Sequence, residues 1–563
     1  MLFPVELLFL CWSVTVLFIL VRFNKTRRSL PPGPLSLPYI GNLRYFISRP
    51  NWFTYTEWYQ KYDSDIVHVN IAGSSYIILN SLEAATELLE RRSGIYSSRW
   101  ALPKFRMLAD MIGLVSLSPF NLGSPSEHLR YAGRYKWSFV LMPYGPEWKA
   151  QRKLCTNMFN PNNPDEHESR ELKATRIFLL KLHKSPDDLF QHLLDMAGST
   201  ILSIVYGFDV AAVQHSLHTV NAEEGAQGFL QASILGNFLV DDVPWLRYVP
   251  SWFPGASFQA QAQFWRKYME KILHGPFDEM KNHFVSEWNI SVSCVWYLTL
   301  AGPSPIRGWN LVLFPDAWGK LLEMFIKSVA ASLYLGGTDT TVTTLKSFFL
   351  AMIQYPECQK KAQQELDCII GRNRLPDFAD KDTLPYIEAI LHETMRRARI
   401  LTQKWQPTTP AGLPHLVSEE DVYNGYRIPK NSIVITNMWA MMRDERNFKD
   451  PFTSNPDRYI RLADGQLDLD LLKRATAGFG FGRRICPGKH MALSAMWIAI
   501  ASILSVFEIS KAVDENGQVI EPSMKFKSTM LQNQPLAYKL SIKLRSPDCL
   551  RVMQTDVDFV EGK

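Results

Sequence analysis

The run Phe479-Gly-Phe-Gly-Arg-Arg-Ile-Cys-Pro-Gly488 constrains this chain more than any other stretch. It sets one cysteine, Cys486, in a glycine-rich turn ahead of a helix-forming apolar run from Met491 to Leu504. At the mouth of a helix, backbone N–H groups and a nearby arginine favour thiolate over thiol. Such a thiolate is either a nucleophile or a metal ligand. Gly480, Gly482 and Gly488 let the backbone approach a flat, bulky group, and Arg484 could meet a carboxylate at that group's edge. These features suit an axial ligand to haem, where thiolate donation favours O–O cleavage. The plain alternative is a buried cysteine in a Gly-rich turn.

The remaining cysteines narrow the field. Cys11, Cys155, Cys294, Cys358, Cys368 and Cys549 are widely spaced, and the chain has no C-x-x-C pair and no C-x-x-C-H haem-attachment motif. A disulfide scaffold, a zinc ribbon and a c-type cytochrome are thereby disfavoured. With 46% hydrophobic residues the chain is that of a folded protein, and a net charge of +6 over 563 residues is too dilute for a dedicated nucleic-acid binder.

Leu2 to Val21 carries one ionisable residue, Glu6. At about 1.5 Å per residue this run can cross a hydrocarbon core of roughly 30 Å. Without a basic n-region or an A-x-A cleavage pattern it reads as a transmembrane helix rather than a cleaved signal peptide or a buried core helix. Arg22, Lys25, Arg27 and Arg28 follow directly, which places the downstream chain in the cytoplasm. Leu30-Pro-Pro-Gly-Pro34 and Pro38 then form a stiff, extended spacer. The expected organisation is a signal anchor over 1–22, a basic and Pro-rich hinge over 23–45, a body over 46–545 and a C-terminal tail over 546–563.

Helical periodicity marks residues 81–92, 188–206, 322–354, 356–371 and 382–396, and β-prone stretches fall at Ile66–Ile71, Tyr76–Leu79 and Ser432–Thr436. There is no regular β-α alternation and no repeat of fixed period. The fold expected is therefore mainly α with small β-sheets.

Three further motifs precede Cys486. Gly336-Gly-Thr-Asp-Thr-Thr341 lies in a long apolar helix, where two successive glycines each cost about 1 kcal/mol relative to alanine and so ask for a reason. Glu393-Thr-Met-Arg396 puts opposite charges at i and i+3 on one helix face. Trp148-x-x-x-Arg152 places an aromatic and a cation one turn apart.

With F-x-x-G-x-R-x-C-x-G matched by Phe479, Gly482, Arg484, Cys486 and Gly488, the chain resembles the cytochrome P-450 superfamily of haem-thiolate monooxygenases, over nearly its whole length from the proline hinge to about Ser541. The resemblance implies haem b with Cys486 as its axial ligand. It implies that Gly336 passes close over the porphyrin, that Thr340 hydrogen-bonds dioxygen and that Asp339 feeds protons from solvent. Trp148, Arg152 and Arg484 would meet haem propionates, and Phe479 would belong to the cofactor-binding loop. The pair Glu393 and Arg396, joined by Arg458, would be buried and support the thiolate side. His415 is either a further propionate contact or a solvated loop histidine. By the family's loop placement, pocket residues come from Tyr96–Met111, Phe229–Phe238, the helix near Leu335, and Thr529–Gln532.

The stretch Asp242 to Gly255 looks most like fungal microsomal members. Its Trp245, Tyr248, Trp252 and Phe253 suit a membrane interface. The activity implied is hydroxylation or epoxidation of a lipophilic small molecule (a terpenoid, a polyketide or an aromatic xenobiotic) at the endoplasmic reticulum membrane. A haem-dependent isomerase or dehydratase and an inactive haemoprotein are the alternatives. No G-x-G-x-x-G opens a β-α unit, so electrons must come from a partner. That partner is expected to be NADPH-haemoprotein reductase, docking near Lys149, Arg152, Lys153 and Lys489, with cytochrome b5 a candidate second donor. No nucleic acid is expected. H-E-x-x-H, the P-loop and the G-x-S-x-G elbow are also missing.

Three segments depart from the family's rhythm: 114–136, about 290–314, and 397–404. Some of them read as intron sequence translated within a gene model.

Overall fold

The computed structural model describes residues 30–45, 51–71, 73–99, 138–159, 165–212, 217–232, 249–250, 252–253, 257–288, 316–396, 409–529 and 532–561. The apolar run 2–21, the three interrupting segments, Trp245 and Tyr248 lie outside them. The longer helices are α1 (Asn51–Tyr62), α2 (Pro146–Met158), α3 (Asp165–Lys184), α4 (Leu189–Tyr206), α5 (Leu217–Ala232), α6 (Ser257–Trp288), α7 (Asp316–Gln354), α8 (Pro356–Ile369), α9 (Pro385–Arg396), α10 (Lys489–Val506) and α11 (Asp548–Glu561).

Helical periodicity is matched by α4, α7, α8, α9 and α10. Proline opens α2, α8 and α9, where its missing N–H would have had no intrahelical partner, and Gly207 ends α4 with a left-handed φ of 75°. α10 is the helix among the described residues that is long and apolar enough to cross a membrane. Its interior positions are buried in the protein, as befits a core helix that is apolar all round. The window 81–92 differs from a plain α-helix. After Leu82–Ala85 it widens into a π-helical turn over Thr86–Arg91, closed by Arg92 N–H donating to Glu87 O at 3.0 Å.

The sheets are small. The largest takes β1 (Ile66–Ile71), β2 (Ser74–Leu79), β3 (Ser98–Arg99), β4 (His415–Leu416) and, after a hairpin of β5 (Asp421–Tyr423) and β6 (Tyr426–Ile428), β7 (Ile433–Thr436). Its order is β1-β2-β7-β4-β3, with β2 and β7 parallel in the register Tyr76 to Ile433. Two further pairs are antiparallel: β8 (Phe507–Lys511) with β11 (Leu540–Leu544), and β9 (Phe526–Ser528) with β10 (Asn533–Pro535).

Two apolar clusters share α7 between them. Its first half sends Ile326, Val329, Ala330 and Leu333 into a cluster with α2, α4, α5 and α6. Its second half sends Val342, Leu345, Phe348 and Phe349 into another with α3, α4, α8, α9, α10 and α11. The Gly336–Thr341 motif occupies the interval between the two. A third cluster joins the large sheet to the stretch before Cys486 through Leu88, Leu89, Ala477 and Phe481. The expected C-terminal tail is an amphipathic helix. α11 buries Cys549, Val552 and Met553 in the second cluster, and Asp556 pairs with the buried Arg176 of α3.

The Glu393–Arg396 pair is buried, as expected. Arg396 donates Nε to Glu393 Oε2 at 2.8 Å and Nη2 to Oε1 at 2.6 Å, and Arg458 joins at 3.3 Å. Asn455 N–H donates to Glu393 Oε1 at 3.0 Å, and Arg396 also donates to the carbonyls of Met442 and Pro451. The two cations and the amide hold the Glu393 carboxyl below its usual range despite burial.

Candidate functional site

The cysteine turn is built by its glycines. Gly480 and Gly482 have φ of 87° and 53°, conformations that cost other residues dearly. A Cβ on Gly482 would stand 2.2 Å from Leu89 O, so the turn and the π-helical segment pack backbone to backbone. Cys486 N–H donates to Phe479 O at 2.8 Å, closing the loop, and α10 starts three residues later. Phe479 packs at the edge of the second cluster.

The Gly488 N–H, Arg152 and Lys489 all favour a Cys486 thiolate, as the sequence suggested. Burial outweighs them, and the thiol's pKa is raised from its ordinary value. The surroundings expected to favour the thiolate are present, and without a bound cation burial opposes them. Coordination to a cation would deprotonate the sulfur outright.

Around this turn lies an unusual set of charges. Arg484 is buried and donates Nε to Ser97 O at 2.7 Å, Nη1 to Phe139 O at 3.2 Å and Nη2 to Met142 O at 2.6 Å. Its guanidinium lies 4.3 Å over the Trp148 ring. Burial, with Arg99 and Arg152 nearby, lowers its pKa to about 8. Arg99 on β3 is also buried, donates Nη1 to the carbonyls of Leu413 and Pro414, and is pushed down to about 9 by burial. Arg152 on α2 is half-buried, with Cys155 and Cys486 its stabilising neighbours. Among the described residues none of these three arginines is paired with a carboxylate. Arg99 Nε and Trp148 Nε1 are buried with no hydrogen-bond partner.

Burying guanidiniums together without an anion is costly. The arrangement therefore suits a ligand that brings its own acidic groups. A flat group with propionate edges fits these donors, and Cys486 could hold its metal.

Arg99 was not legible as part of this site, because the sequence placed it within a pocket-lining stretch. The structure turns it onto the carbonyls beside β4. His415 is not a solvated loop residue. It is buried in β4, with Nδ1 2.7 Å from Tyr96 O, and burial with Arg99 and Arg484 pulls its pKa well below the usual histidine range. The ring is thus neutral, with the Nδ1 proton donated to that carbonyl.

On α7 the two glycines have different reasons. A Cβ on Gly337 would meet Ile201 of α4 at 3.0 Å, so Gly337 permits close helix packing. A Cβ on Gly336 would meet nothing within 4 Å. Gly336 and Thr340 share one open face of a helix that is otherwise mostly buried. Thr340 Oγ1 donates to Gly336 O at 2.9 Å, which leaves the hydroxyl oxygen free to accept. Asp339 is buried, with Oδ2 unpartnered, and burial raises its pKa against the pull of Lys346 and Lys527. α7 packs on α2, which carries Trp148 and Arg152, and on α10, which follows Cys486.

Of the four cations expected at a docking surface, Lys149 and Lys153 are exposed. Arg152 and Lys489 are corrected. Both are half-buried, and Lys489 Nζ donates to Thr476 Oγ1 at 3.1 Å.

Comparison with known proteins gives a consistent result. The family model described as Cytochrome P450 matches residues 123–540. The chain is 38% identical over 532 residues to Cytochrome P450 monooxygenase 98 of Postia placenta, covering 94% of this chain and 93% of that protein. It is 36% identical to Cytochrome P450 monooxygenase ple1 of Rhodocybe pseudopiperita, covering 94% and 92%. It is 34% identical to Tryptamine 4-monooxygenase of Psilocybe cyanescens, covering 88% and 90%.

Proposed function

From the premise that this chain belongs to the cytochrome P450 family, and so is a monooxygenase with haem b on a cysteine thiolate, we propose that Cys486 is the thiolate and that the substrate is a lipophilic small molecule. The observation that carries the site assignment is the trio of arginines, Arg484 and Arg99 buried and Arg152 half-buried, that have no carboxylate partner among the described residues and lie around the cysteine of the Gly-rich turn. In this reading Arg484, Arg152 and Trp148, with Arg99 added, hold the propionates, and Phe479 and the loop glycines set the distance of the sulfur. Bound haem supplies dioxygen activation and insertion of one oxygen atom into a carbon centre. The protein supplies what surrounds that chemistry. Gly336 admits a flat group against α7, Thr340 offers an acceptor oxygen on the same face, and Asp339 carries protons inward from solvent, its raised pKa favouring the acid form that can give one up.

The first 22 residues are the proposed anchor, residues 23–45 the hinge, 46–545 the catalytic body and 546–563 the C-terminal segment. The apolar length of 2–21 and its basic flank support a single span at the endoplasmic reticulum with a cytoplasmic body. Exposed Trp252 and Phe253 support an interface with lipid, from which an apolar substrate enters. Electrons come from NADPH-haemoprotein reductase, with cytochrome b5 a further candidate, and Lys149 with Lys153 supply docking charge. The fungal relatives support a place in secondary metabolism or detoxification. Some of the segments 114–136, about 290–314 and 397–404 are proposed to be intron-derived, and transcript reads that span all three intact would end that idea.

The carbon monoxide difference spectrum of dithionite-reduced membranes tests the centre of this reading. A red-shifted thiolate-type Soret band is expected, and it should vanish in Cys486→Ala. A band that survives the substitution would assign the ligand elsewhere.

A further inference from the structure

α7 carries a run of hydroxyls that each donate to the carbonyl four residues earlier. Ser328 bonds Met324 (2.6 Å), Ser332 bonds Ser328 (2.8 Å), Thr338 bonds Tyr334 (2.9 Å), Thr340 bonds Gly336 (2.9 Å), Thr344 bonds Thr340 (3.1 Å) and Ser347 bonds Thr343 (2.9 Å). Asp339 departs from the run. Its carbonyl accepts from Gln532 Nε2 at 3.2 Å, and the hydroxyl of Thr343, four residues on, accepts from the same nitrogen.

Gln532 lies 193 residues away in sequence, in the turn between β9 and β10. It is buried and its own backbone is pinned. Thr529 donates its N–H and Oγ1 to Gln532 O at 2.8 and 3.0 Å, and Gln532 N–H donates to Thr529 Oγ1 at 3.0 Å. A buried carboxamide is costly unless its donors are used, and both N–H groups of this one are spent on α7. The sequence placed Gln532 in the substrate pocket. The structure turns its amide onto the helix instead.

We propose that Gln532 is the positioning residue for Asp339, clamping the segment of α7 that carries the acid through its main chain and reaching its carboxyl with the same amide, while leaving Oδ2 free to exchange a proton. The inference rests on the reading of Asp339 given above and adds the group that holds it in place. A carboxyl bonded firmly through both oxygens is fixed in one protonation state. Here Oδ2 has no partner although it is buried, and rigidity comes from the carbonyl of the same residue. The ionisable groups that face Asp339 are Lys346 on α7, Lys527 on β9 and Glu223 on α5. The two lysines and the Gln532 amide favour the carboxylate, whereas burial and Glu223 favour the acid.

Infrared difference spectra of the full-length, CO-bound ferrous protein across a pH series test this. The protonated Asp339 carboxyl should give a band that Asp339→Asn removes. In Gln532→Met, which keeps the volume and removes the donors, the pH at which that band disappears should rise by about one unit, a tenfold change in proton affinity. The thiolate-type CO band serves as the check that the variant has folded. If Gln532→Met fails that check, Thr343→Val removes the amide's second acceptor from within α7 and should shift the same band in the same direction by less. A folded variant whose carboxyl titrates as in the wild type overturns the role of Gln532 and leaves Asp339 as read. A wild-type spectrum without any band that Asp339→Asn removes overturns the reading of Asp339 and this inference with it.

Discussion

Glu171 shows how much a single residue's burial decides. It is buried on α3, accepts from Ser494 Oγ at 3.1 Å, faces His167 at 3.5 Å and has Oε2 unpartnered. Burial raises its pKa from 4.5 to about 7. Between these two values the folded protein holds a proton that the unfolded chain has released, so stability falls as pH rises through that window. Glu171→Gln cannot ionise and should escape the fall. Between pH 5 and pH 8 it should gain on the wild type by on the order of 3 kcal/mol in denaturant unfolding. Parallel pH profiles for the two proteins would show that Glu171 ionises without penalty. Gly482 makes a second case. With φ of 53° and Leu89 O in the path of any Cβ, Gly482→Ala must move either the cysteine turn or the π-helical segment. Severalfold less haem per mole of protein is expected, measured against the protein band. Local features read from neighbours in sequence, such as the turn that sets Cys486 ahead of a helix and the buried Glu393–Arg396 pair, fold as expected. Arg99 could not be read that way, because the carbonyl it bonds is 314 residues distant. The donors around the Cys486 sulfur were legible, whereas the burial that opposes them was not, because sequence does not show which elements close over a turn.

At the scale of elements, the periodic helices were legible because an apolar face of period 3.6 needs no knowledge of its partner. Strand pairing was not. β2 and β7 were visible as β-prone runs, yet their parallel register joins Tyr76 to Ile433 across most of the chain. The C-terminal helix was missed because a short amphipathic segment after the last strand carries no motif. α11 is nevertheless held by Cys549, Val552 and Met553 in the core and by Asp556 on Arg176. Asp556→Ala leaves a buried guanidinium with only Ser502 Oγ and Pro376 O as partners. Removing one member of such a pair costs about 3 kcal/mol. A lowered midpoint in thermal or denaturant unfolding is expected, while Asp548→Ala on the exposed face of the same helix, its side chain 77% exposed, should be nearly neutral. Equal effects would mean that the ion pair adds nothing beyond the helix itself.

For the whole molecule, two of the stretches in which the described body presents large apolar side chains to solvent bear on a lipid interface. Leu35, Tyr39 and Ile40 lie within and just after the proline spacer, and Trp252 and Phe253 precede α6, which carries Phe264. Trp265, next to Phe264, is buried with Trp52, Tyr55 and the strands of the large sheet, so α6 is anchored where its neighbour faces outward. If these side chains meet lipid, a protein lacking residues 1–29 should still partition onto phosphatidylcholine vesicles. Trp252→Ser with Phe253→Ser should weaken that partition about tenfold, since burial of each large apolar side chain is worth roughly 1.5–3 kcal/mol and only part of each ring would enter the interface. Partition that depends on anionic lipid and ignores both rings would point to the basic residues instead.

The clasp on Arg176 also has a consequence for how the chain is made. Its partner Ser502 is 326 residues downstream, and Asp556 is further still. At roughly 5–20 residues per second, a nascent α3 waits about 15 to 65 s for the first of them. Through that interval the Pro376 carbonyl is the one hydrogen-bond partner that its guanidinium can gain among the described residues, and its apolar side is covered by α4 but not yet by α10. Synthesis, rather than the finished structure, is then the stage at which this protein depends most on chaperones, and a ribosome that stops before α11 releases a product whose largest core was never closed.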